Sequence, residues 1–348
     1  MLLSRIYVLT DGTALSESQC TGLLDVLNLE CPVEVKELTT PVSSVLVRWL
    51  PSWCQVTLGS YGVARLGDKE SMKELASAKG ATLVLASGYN TLTTAIELKK
   101  ALGDKAFTVV IGHPCSFDYS LFDMVILSGF EVLMHSVDPL PKNAFQTEGY
   151  VNRATYQQLL RAKLESAETL NDLRHPLLLL NLGGPTKWCP YDEKVLTEDL
   201  AKICQNALKS GVVEQVVVVF SDRASEKVQE FYAEQKWLDK WTGDFIYMLA
   251  WADLVAVSAD SIPECSEVAS VGKPLFTIAE ESCRASHSSL FTLFEARGVS
   301  KPLTSEKLAK NSSGWKYKQL GGAVEAANEV ADRLAKAKPN AARKWYRS

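Results

Sequence analysis

Short apolar runs of strand length alternate with segments of helical period throughout this chain. In the first half the runs lie at 6–9, 82–86, 107–111 and 124–127. In the second half they recur at 177–182, 215–220, 254–257 and 274–278. Strands that alternate with helices predict βαβ units, which build parallel sheets with helices on both faces. The chain is therefore expected to be an α/β protein with parallel sheets.

The length of the chain favours two such domains. It has 348 residues, and folded domains usually contain ~100–200. A charged helix is predicted at 156–173, and His175-Pro176 opens a new series of strands. We predict an N-terminal Rossmann-like domain at 1–165 and a C-terminal Rossmann-like domain at 166–321. A returning helix and a basic tail follow at 322–348.

Charge and hydropathy exclude two classes of protein. The formal net charge is −4, which argues against nucleic acid as a partner because phosphate neutralisation needs a basic face. The longest apolar runs are strand-sized, well short of the ~20 residues of a membrane span. Residues 1–5 lead directly into the first strand, so we expect a cytosolic protein without a signal or transit peptide.

The eight cysteines show no CxxC spacing. A disulfide framework is unusual in so long a chain without an export signal. We expect reduced thiols that pack as small apolar residues, and we predict no metal site.

Polar loops follow the predicted strands of the first half. Ligands bind open α/β sheets at the carboxyl ends of strands, where helix N termini present free N–H groups. Asp11 and His113 are the candidate general bases in these loops. A turn with a helix cap is the alternative for Asp11, and a structural loop histidine is the alternative for His113. The other first-domain candidates are Gly12, Ser87, Gly88, Asn90 and Thr91.

Glycines and cations follow two predicted strands of the second half. Loop amides and two basic side chains at such positions suit a diphosphate, although glycine pairs after strands are also common as plain turns. Neither GxxxxGK[ST] nor GxGxxG occurs there, so no P-loop or NAD fingerprint is predicted. The candidate diphosphate groups are Gly183, Gly184, Lys187, Ser221 and Arg223.

The segment 247–274 carries the most specific pattern in the chain. A strand that ends at Ser258 leads into a helix predicted at 262–271. Helix capping and compensation of the helix dipole account for Asp260 and Glu264. The alternative is that these carboxylates accept hydrogen bonds from sugar or ribose hydroxyls. The candidate ligand groups of this loop are Ser258, Asp260, Ser261, Glu264 and Glu267.

Five segments, in order along nearly the whole chain, resemble known families. Segment 247–274, which contains Asp260-Ser261, Ser266-Glu267 and Gly272-Lys273-Pro274, is similar to the nucleotide-sugar loop of glycosyltransferase-B enzymes. The other four are similar to a mitochondrial-fission family of the elongated-mitochondria type. They are the opening Val8-Leu9-Thr10-Asp11-Gly12, the turn Gly183-Gly184-Pro185, the segment Phe220-Ser221-Asp222-Arg223 and the closing stretch Trp315–Leu320.

The resemblance implies a glycosyltransferase-B-like fold whose last helix packs back on the first domain. Plant members of the family act in mitochondrial division at the cytosolic face of the outer membrane, where they help recruit a dynamin-related GTPase. The resemblance thus implies that GTPase as partner and a peripheral place on the outer mitochondrial membrane. The basic tail, with Arg343, Lys344 and Trp345, either contacts an anionic membrane surface or is solvated.

The sequence departs from the family pattern at several polar positions. Residues 13–16, 88–91 and 128–131 lack the expected polar groups, and Arg223 stands where the family often has two arginines. Two functions therefore stay open. A non-catalytic fission adaptor is predicted first, with no cofactor. A glycosyltransferase is the alternative, which would hold a nucleotide-sugar ligand between the Gly183 loop, Arg223 and the helix after Asp260.

Overall fold

The computed structural model describes residues 3–27, 34–39 and 80–338. The chain divides into two compact units: unit 1 comprises Met1–Arg153 and Gly322–Ser348, and unit 2 comprises Ala154–Gly321. The basic tail at 339–348 and two of the cysteines, Cys31 and Cys54, lie outside the described residues.

Unit 1 contains a six-stranded sheet in which all neighbouring strands are parallel. Its spatial order is β2-β1-β3-β4-β5-β6. The strands are β1 (Leu3–Thr10), β2 (Glu34–Thr39), β3 (Ala81–Ser87), β4 (Ala106–Ile111), β5 (Met124–Ser128) and β6 (Ala144–Thr147). Every residue of β3, β4 and β5 is buried, as expected of parallel strands covered on both faces.

The last helix of the chain belongs to unit 1. The helices of this unit are α1 (Ala14–Leu27), α2 (Leu92–Leu102), α3 (Gly129–Met134) and α12 (Ala323–Ala337). Val330 and Leu334 of α12 are fully buried in one apolar cluster with Leu23 and Leu27 of α1. Burying each such side chain contributes about 1.5–3 kcal/mol. The predicted return of the C-terminal helix to the first domain is therefore confirmed.

Unit 2 repeats the scheme with a second six-stranded parallel sheet. Its spatial order is β12-β11-β10-β7-β8-β9. The strands are β7 (Leu177–Leu182), β8 (Gln215–Phe220), β9 (Asp239–Lys240), β10 (Leu254–Ser258), β11 (Leu275–Ile278) and β12 (Ser300–Pro302). The α/β class with two Rossmann-like parallel sheets is confirmed.

Helices connect these strands. They are α4 (Tyr156–Glu165), α5 (Ala167–Leu170), α6 (Glu198–Lys209), α7 (Glu226–Ala233), α8 (Phe245–Trp251), α9 (Ile262–Val271), α10 (Ala285–Ala296) and α11 (Ser305–Lys310). The predicted bounds of α9 agree with the structure at both ends. Gly272, at φ 73°, ends that helix in the left-handed conformation that glycine adopts without strain.

Two predicted helices are broken in the structure. The helix expected at 156–173 is interrupted at Ser166, whose hydroxyl donates to the Ala162 carbonyl at 2.6 Å and accepts from Trp251 Nε1 at 2.9 Å. The segment 192–210, whose pattern also predicts one continuous helix, begins as a short 3₁₀ turn at Glu193–Val195 and continues as α6 only after Thr197 (φ −108°, ψ −95°). In both cases a side-chain contact or a local backbone angle overrides helical periodicity.

Each sheet has one point where the strand order reverses. In unit 1 it lies between β1 and β3, and in unit 2 between β7 and β10. Loops that leave two such strands diverge to opposite sides and open a crevice, which is where α/β proteins hold ligands. Within the residues that the structure describes, no helix has both the length and the apolar composition needed to cross a bilayer.

Candidate functional sites in the two crevices

Asp260 is the centre of the unit 2 crevice. Its side chain is fully buried just after β10. Oδ1 accepts the Tyr191 hydroxyl at 2.6 Å, and Oδ2 accepts Arg223 Nε at 2.8 Å and the Gly184 amide at 3.3 Å. A buried carboxylate is stable only when it is paired and hydrogen-bonded. Both oxygens of Asp260 are thus engaged by groups of the chain itself.

Arg223 is held to the loop after β10 by two bonds. Its Nε donates to Asp260, and its Nη2 donates to the Ser261 hydroxyl at 2.9 Å. Although burial alone lowers the pKa of Arg223, the hydrogen bond and charge of Asp260 raise it above its ordinary value. The side chain is 42% exposed, so part of the guanidinium group remains accessible to solvent.

The structure contradicts the prediction that a side chain of this loop caps helix α9. Ser261 is the N-cap of α9, but no side-chain hydrogen bond caps the helix there. The Ser261 hydroxyl accepts from Arg223 instead. Pro263 lies in the first turn of α9.

The two glycines after β7 allow the loops to pack closely. A Cβ at Gly183 would lie 2.2 Å from Asp260 Oδ2, and one at Gly184 would lie 2.2 Å from the Arg223 carbonyl oxygen. The Gly183 amide donates to the Ser258 hydroxyl at 2.8 Å. The glycines therefore serve contact between loops, and their amides are already bonded within unit 2.

Glu264 is a polar group beside this network with one unsatisfied oxygen. Among the residues that the structure describes, its buried Oε2 has no hydrogen-bond partner. Burial, reinforced by the charge of Glu267, raises the pKa of Glu264 to about 7. Glu267 itself is only 2% exposed.

The remaining candidates of unit 2 lie outside this network. Lys187 Nζ lies over the Trp188 ring, 5.1 Å from its centroid. The Ser221 hydroxyl accepts the Arg223 amide at 3.3 Å, and the Ser221 amide donates to the Leu182 carbonyl. Both residues therefore stabilise their own loops.

A disulfide that the sequence analysis did not expect lies beside Asp260. Cys189 is bonded to Cys283, which corrects the expectation of reduced thiols at these two positions. Both sulfur atoms lie within 4 Å of the Ala259 carbonyl oxygen. Tyr191, the donor to Asp260, is two residues from Cys189. The sequence does not predict the Cys189–Cys283 bond or the Tyr191–Asp260 hydrogen bond, because the partners are far apart in the chain and share no local motif.

The unit 1 crevice begins at Asp11, directly after β1. Its Oδ1 accepts both the amide and the hydroxyl of Thr13, at 3.3 and 2.8 Å. Gly88, at φ 93°, brings the next loop so close that a Cβ there would lie 2.3 Å from the Asp11 carboxyl. Asp11 therefore stabilises the turn after β1, as the alternative prediction has it, and uses only its Oδ1 atom to do so.

The other residues predicted after β1 and β3 have largely structural contacts. The Ser87 hydroxyl donates to Gln19 Oε1 at 2.6 Å, in the buried layer between β3 and α1. Thr91 is fully buried, and its hydroxyl donates to the Gly88 carbonyl at 2.7 Å. Asn90 is buried, whereas Gly12 is exposed at φ 76°.

His113 follows β4 and is held in one orientation. Its ring stacks on His135 with centroids 3.9 Å apart, and its Nδ1 accepts the Cys115 amide at 3.0 Å. Burial, and then the neighbouring His135, lower the pKa of His113 to about 4. A neutral ring whose Nδ1 accepts must carry its proton on Nε2. His113 is therefore arranged as a hydrogen-bond donor rather than as a proton acceptor.

Glu131 closes the crevice from the start of α3. Its Oε2 accepts from both the amide and the hydroxyl of Ser128, at 2.8 Å each, and its Oε1 accepts the His113 amide at 3.2 Å. Burial raises the pKa of Glu131 above its ordinary value, although the hydrogen bonds from Ser128 and His113 act to lower it. The resulting capping box fixes the loop that carries His113.

These loops enclose a cavity of about 220 Å³. It contacts the carboxyl ends of β1, β3 and β4 and the first turn of α3. The polar lining residues include Asp11, Gln19, Ser87, His113 and Glu131. Among the residues that the structure describes, no three His, Cys, Asp or Glu side chains are arranged to hold a metal ion.

Comparison with known proteins assigns the family. The sequence model of the Mitochondrial fission ELM1 family matches residues 16–334. The chain belongs to this family. It is 23% identical to the Mitochondrial fission protein ELM1 of Arabidopsis thaliana, over 95% of this chain and 91% of that protein. The family resemblance drawn from the loops of both halves is thereby confirmed.

The solved structure of MnaA supports the glycosyltransferase-B-like fold. MnaA of S. aureus, in a structure with UDP, aligns with a TM-score of 0.52 over 96% of each chain at 11% identity. MurG of Acinetobacter baumannii aligns with a TM-score of 0.49 over 96% of this chain and 99% of that one, at 14% identity. At such identities the likeness concerns the fold alone.

Proposed function

We propose that this chain is a non-catalytic adaptor in mitochondrial fission that helps recruit a dynamin-related GTPase to the outer mitochondrial membrane. Membership of the Mitochondrial fission ELM1 family supports a role in mitochondrial fission. The ion pair between Arg223 and Asp260 supports the absence of catalysis, because the resemblance to glycosyltransferase-B enzymes implies that these same loops would hold the donor.

A diphosphate needs free donors and net positive charge. In the unit 2 crevice, the amides of Gly183 and Gly184 already donate to Ser258 and Asp260. The charge of Arg223 is matched by Asp260 at 2.8 Å. Glu264 adds a further acidic group to the same crevice. A nucleotide diphosphate would therefore have to displace internal bonds and would gain little electrostatic attraction.

An apolar stripe on α4 supports a binding role. Tyr156, Leu160 and Leu164 are 77%, 50% and 70% exposed. A spacing of four residues places them on one face of the helix. Exposed apolar patches of this kind are typical of protein interaction surfaces.

The first experiment is a thermal-shift panel with UDP, GDP, ADP and CMP and their sugar conjugates. A ligand at ~100 times its dissociation constant adds ~2.7 kcal/mol of stability, which a melting curve detects readily. We expect no nucleotide to raise the melting temperature. A selective shift by one nucleotide sugar, with turnover of that donor, would overturn the non-catalytic assignment.

The second experiment tests the adaptor role in cells that lack the endogenous protein. We expect the fluorescently tagged chain to decorate mitochondria, to restore mitochondrial division and to bring the dynamin-related GTPase to them. A variant with Tyr156→Ser, Leu160→Ser and Leu164→Ser should lose this recruitment, whereas Gln157→Ser, on the same helix, should retain it. Normal GTPase recruitment without the chain would contradict the proposal.

A glycosyltransferase is the second candidate, and Glu264 favours it. Its Oε2 is a buried acceptor without a partner, which a sugar hydroxyl would satisfy. This alternative predicts that a donor-induced thermal shift is lost in Glu264→Gln.

A further inference from the structure

The unit 1 crevice contains a cavity lined by the loops after β1, β3 and β4. It lies between the loops after β1 and β3, where the strand order of the sheet reverses. Ligands of open α/β sheets bind at such reversals. We propose that this cavity binds a neutral polyhydroxylated molecule the size of one sugar ring.

Three polar groups on the cavity wall have capacity for a ligand. Oδ1 of Asp11 is used by Thr13, but Oδ2 accepts no hydrogen bond from the described residues. Gln19 accepts the Ser87 hydroxyl through Oε1, so its amide NH₂ group remains for a ligand. His113 accepts through Nδ1 and presents Nε2–H. The cavity thus offers one strong acceptor and two neutral donors.

This combination selects hydroxyl groups. A hydroxyl donates one hydrogen bond and accepts others, so it can satisfy a carboxylate oxygen and an N–H group together. A phosphate carries negative charge, which the carboxyl groups of Asp11 and Glu131 would repel. Among the described residues that line the cavity there is no lysine or arginine. A cationic group such as an ammonium carries only donors. It would therefore leave the N–H groups of Gln19 and His113 without an acceptor.

Size and lining favour a single ring. The cavity volume of about 220 Å³ lies below the ~300–1,000 Å³ of pockets that hold drug-sized ligands, which favours a small ligand. Leu15, Tyr89 and Leu92 supply an apolar wall. A sugar ring presents hydroxyls at its edge and C–H groups on its faces, which suits a pocket with few polar groups and an apolar wall.

Gly88 fixes the width of the cavity. Any Cβ at this position would overlap the Asp11 carboxyl. The glycine therefore lets the loop after β3 approach Asp11, while Thr13 holds the carboxylate in place. The binding groups are positioned before a ligand arrives, which lowers the entropy cost of binding.

Saturation-transfer NMR titrations of the full chain test the proposal. The probes are glucose, galactose, mannose, N-acetylglucosamine and myo-inositol, with inorganic phosphate and UDP as the charged comparison. We expect saturable binding of at least one neutral probe and none of phosphate. Absence of saturable binding by every neutral probe up to tens of millimolar, or preferential binding of phosphate or UDP, would overturn the proposal.

Variants locate the binding in unit 1. Asp11→Asn removes the free carboxylate oxygen and should weaken binding about tenfold or more. His113→Phe keeps the ring stack but deletes the N–H donor, and should weaken binding severalfold. Glu17→Gln, an exposed carboxyl on α1 outside the cavity, should bind as wild type. Circular dichroism of each variant confirms that it is folded. Wild-type affinity in folded Asp11→Asn and His113→Phe would refute the assignment.

One further variant separates this site from the unit 2 crevice. Glu264→Gln changes only unit 2, so it should leave binding of the neutral probe unchanged. Loss of binding in Glu264→Gln would place the probe in unit 2, which contradicts the proposal and favours the transferase alternative.

Discussion

Arg223 Nε lies 2.8 Å from Asp260 Oδ2, and this ion pair joins the loops after β8 and β10. The same carboxylate accepts from Tyr191 and from the Gly184 amide, in the loop after β7. One buried side chain therefore links three strand ends of unit 2.

Loss of the carboxylate should destabilise unit 2. Asp260→Ala leaves three donors without their acceptor, and breaking a buried pair costs about 3–5 kcal/mol. We expect the melting temperature to fall by roughly 10 °C, since ~1 kcal/mol corresponds to ~2–4 °C in a unit of this size. Asp222→Ala, at the exposed neighbouring acid, is the control and should melt as wild type. Equal melting of both variants would show that the network contributes nothing.

A methyl group at Gly184 should separate two of these loops. The added Cβ would lie 2.2 Å from the Arg223 carbonyl oxygen, so one backbone segment must move. We expect Gly184→Ala to lose about 1–3 kcal/mol in a urea denaturation. Gly321→Ala is the matched control, because its Cβ would meet neighbours only at ordinary distances of 3.7 Å or more. An unchanged urea midpoint for Gly184→Ala would contradict the observed packing.

Glu264 should make the stability of unit 2 depend on pH. Burial raises its pKa from 4.5 to about 7, so the folded state holds this proton more tightly than the unfolded state. The stabilising contribution is complete below pH 4.5 and is lost as the pH rises through 7. Glu264→Gln removes this dependence. Relative to wild type, the variant should therefore be more stable at pH 8 than at pH 5, by about 2 kcal/mol after allowance for partial exposure.

Melting curves at both pH values measure this difference. The control is Glu226→Gln, an exposed carboxyl in the first turn of α7, which should give the same difference from wild type at pH 5 and pH 8. Burial also raises the pKa of Glu280 to about 7. Because Glu280 is present in every protein compared, its contribution cancels. If the difference in stability between Glu264→Gln and wild type were the same at pH 5 and pH 8, the pKa of Glu264 would not be raised by folding.

The disulfide can be detected directly. Alkylation of the denatured, unreduced protein should leave Cys189 and Cys283 unmodified, and mass spectrometry should find their peptides joined. The bond closes a loop with a sequence separation of 94 residues, so reduction should cost unit 2 about 2–4 kcal/mol. Cys189→Ser should melt at the same temperature with and without reductant. Full alkylation of both cysteines would contradict the pairing.

The sequence was most informative where local patterns are strong. The segment from β10 to α9 is predicted with the end of its strand and both bounds of its helix, because each depends on residues close in the chain. Short elements such as β9 and α11 were missed, since two to six residues carry no clear period. At Ser166 the contact with Trp251 ended a helix that periodicity alone would continue.

The candidate residues were found by position, but their roles depend on contacts distant in sequence. Asp260 and Glu264 were both marked as carboxylates after a strand. The structure shows that Asp260 is saturated by donors from 37 to 76 residues away, whereas Glu264 Oε2 has none. Similarly, the sequence predicts His113 as a general base, whereas in the structure its Nδ1 accepts a hydrogen bond from the Cys115 amide.

The sequence by itself determined the α/β class, the two parallel sheets, the loops at their carboxyl ends and the family. These features follow from hydrophobic periodicity and from short motifs, which are local properties of a chain. Only the tertiary structure decided that Arg223 pairs with Asp260 in the unit 2 crevice and that the loops of unit 1 line a cavity. The physical reason is that charge pairing, burial and free volume depend on atoms that folding brings together from distant parts of the sequence.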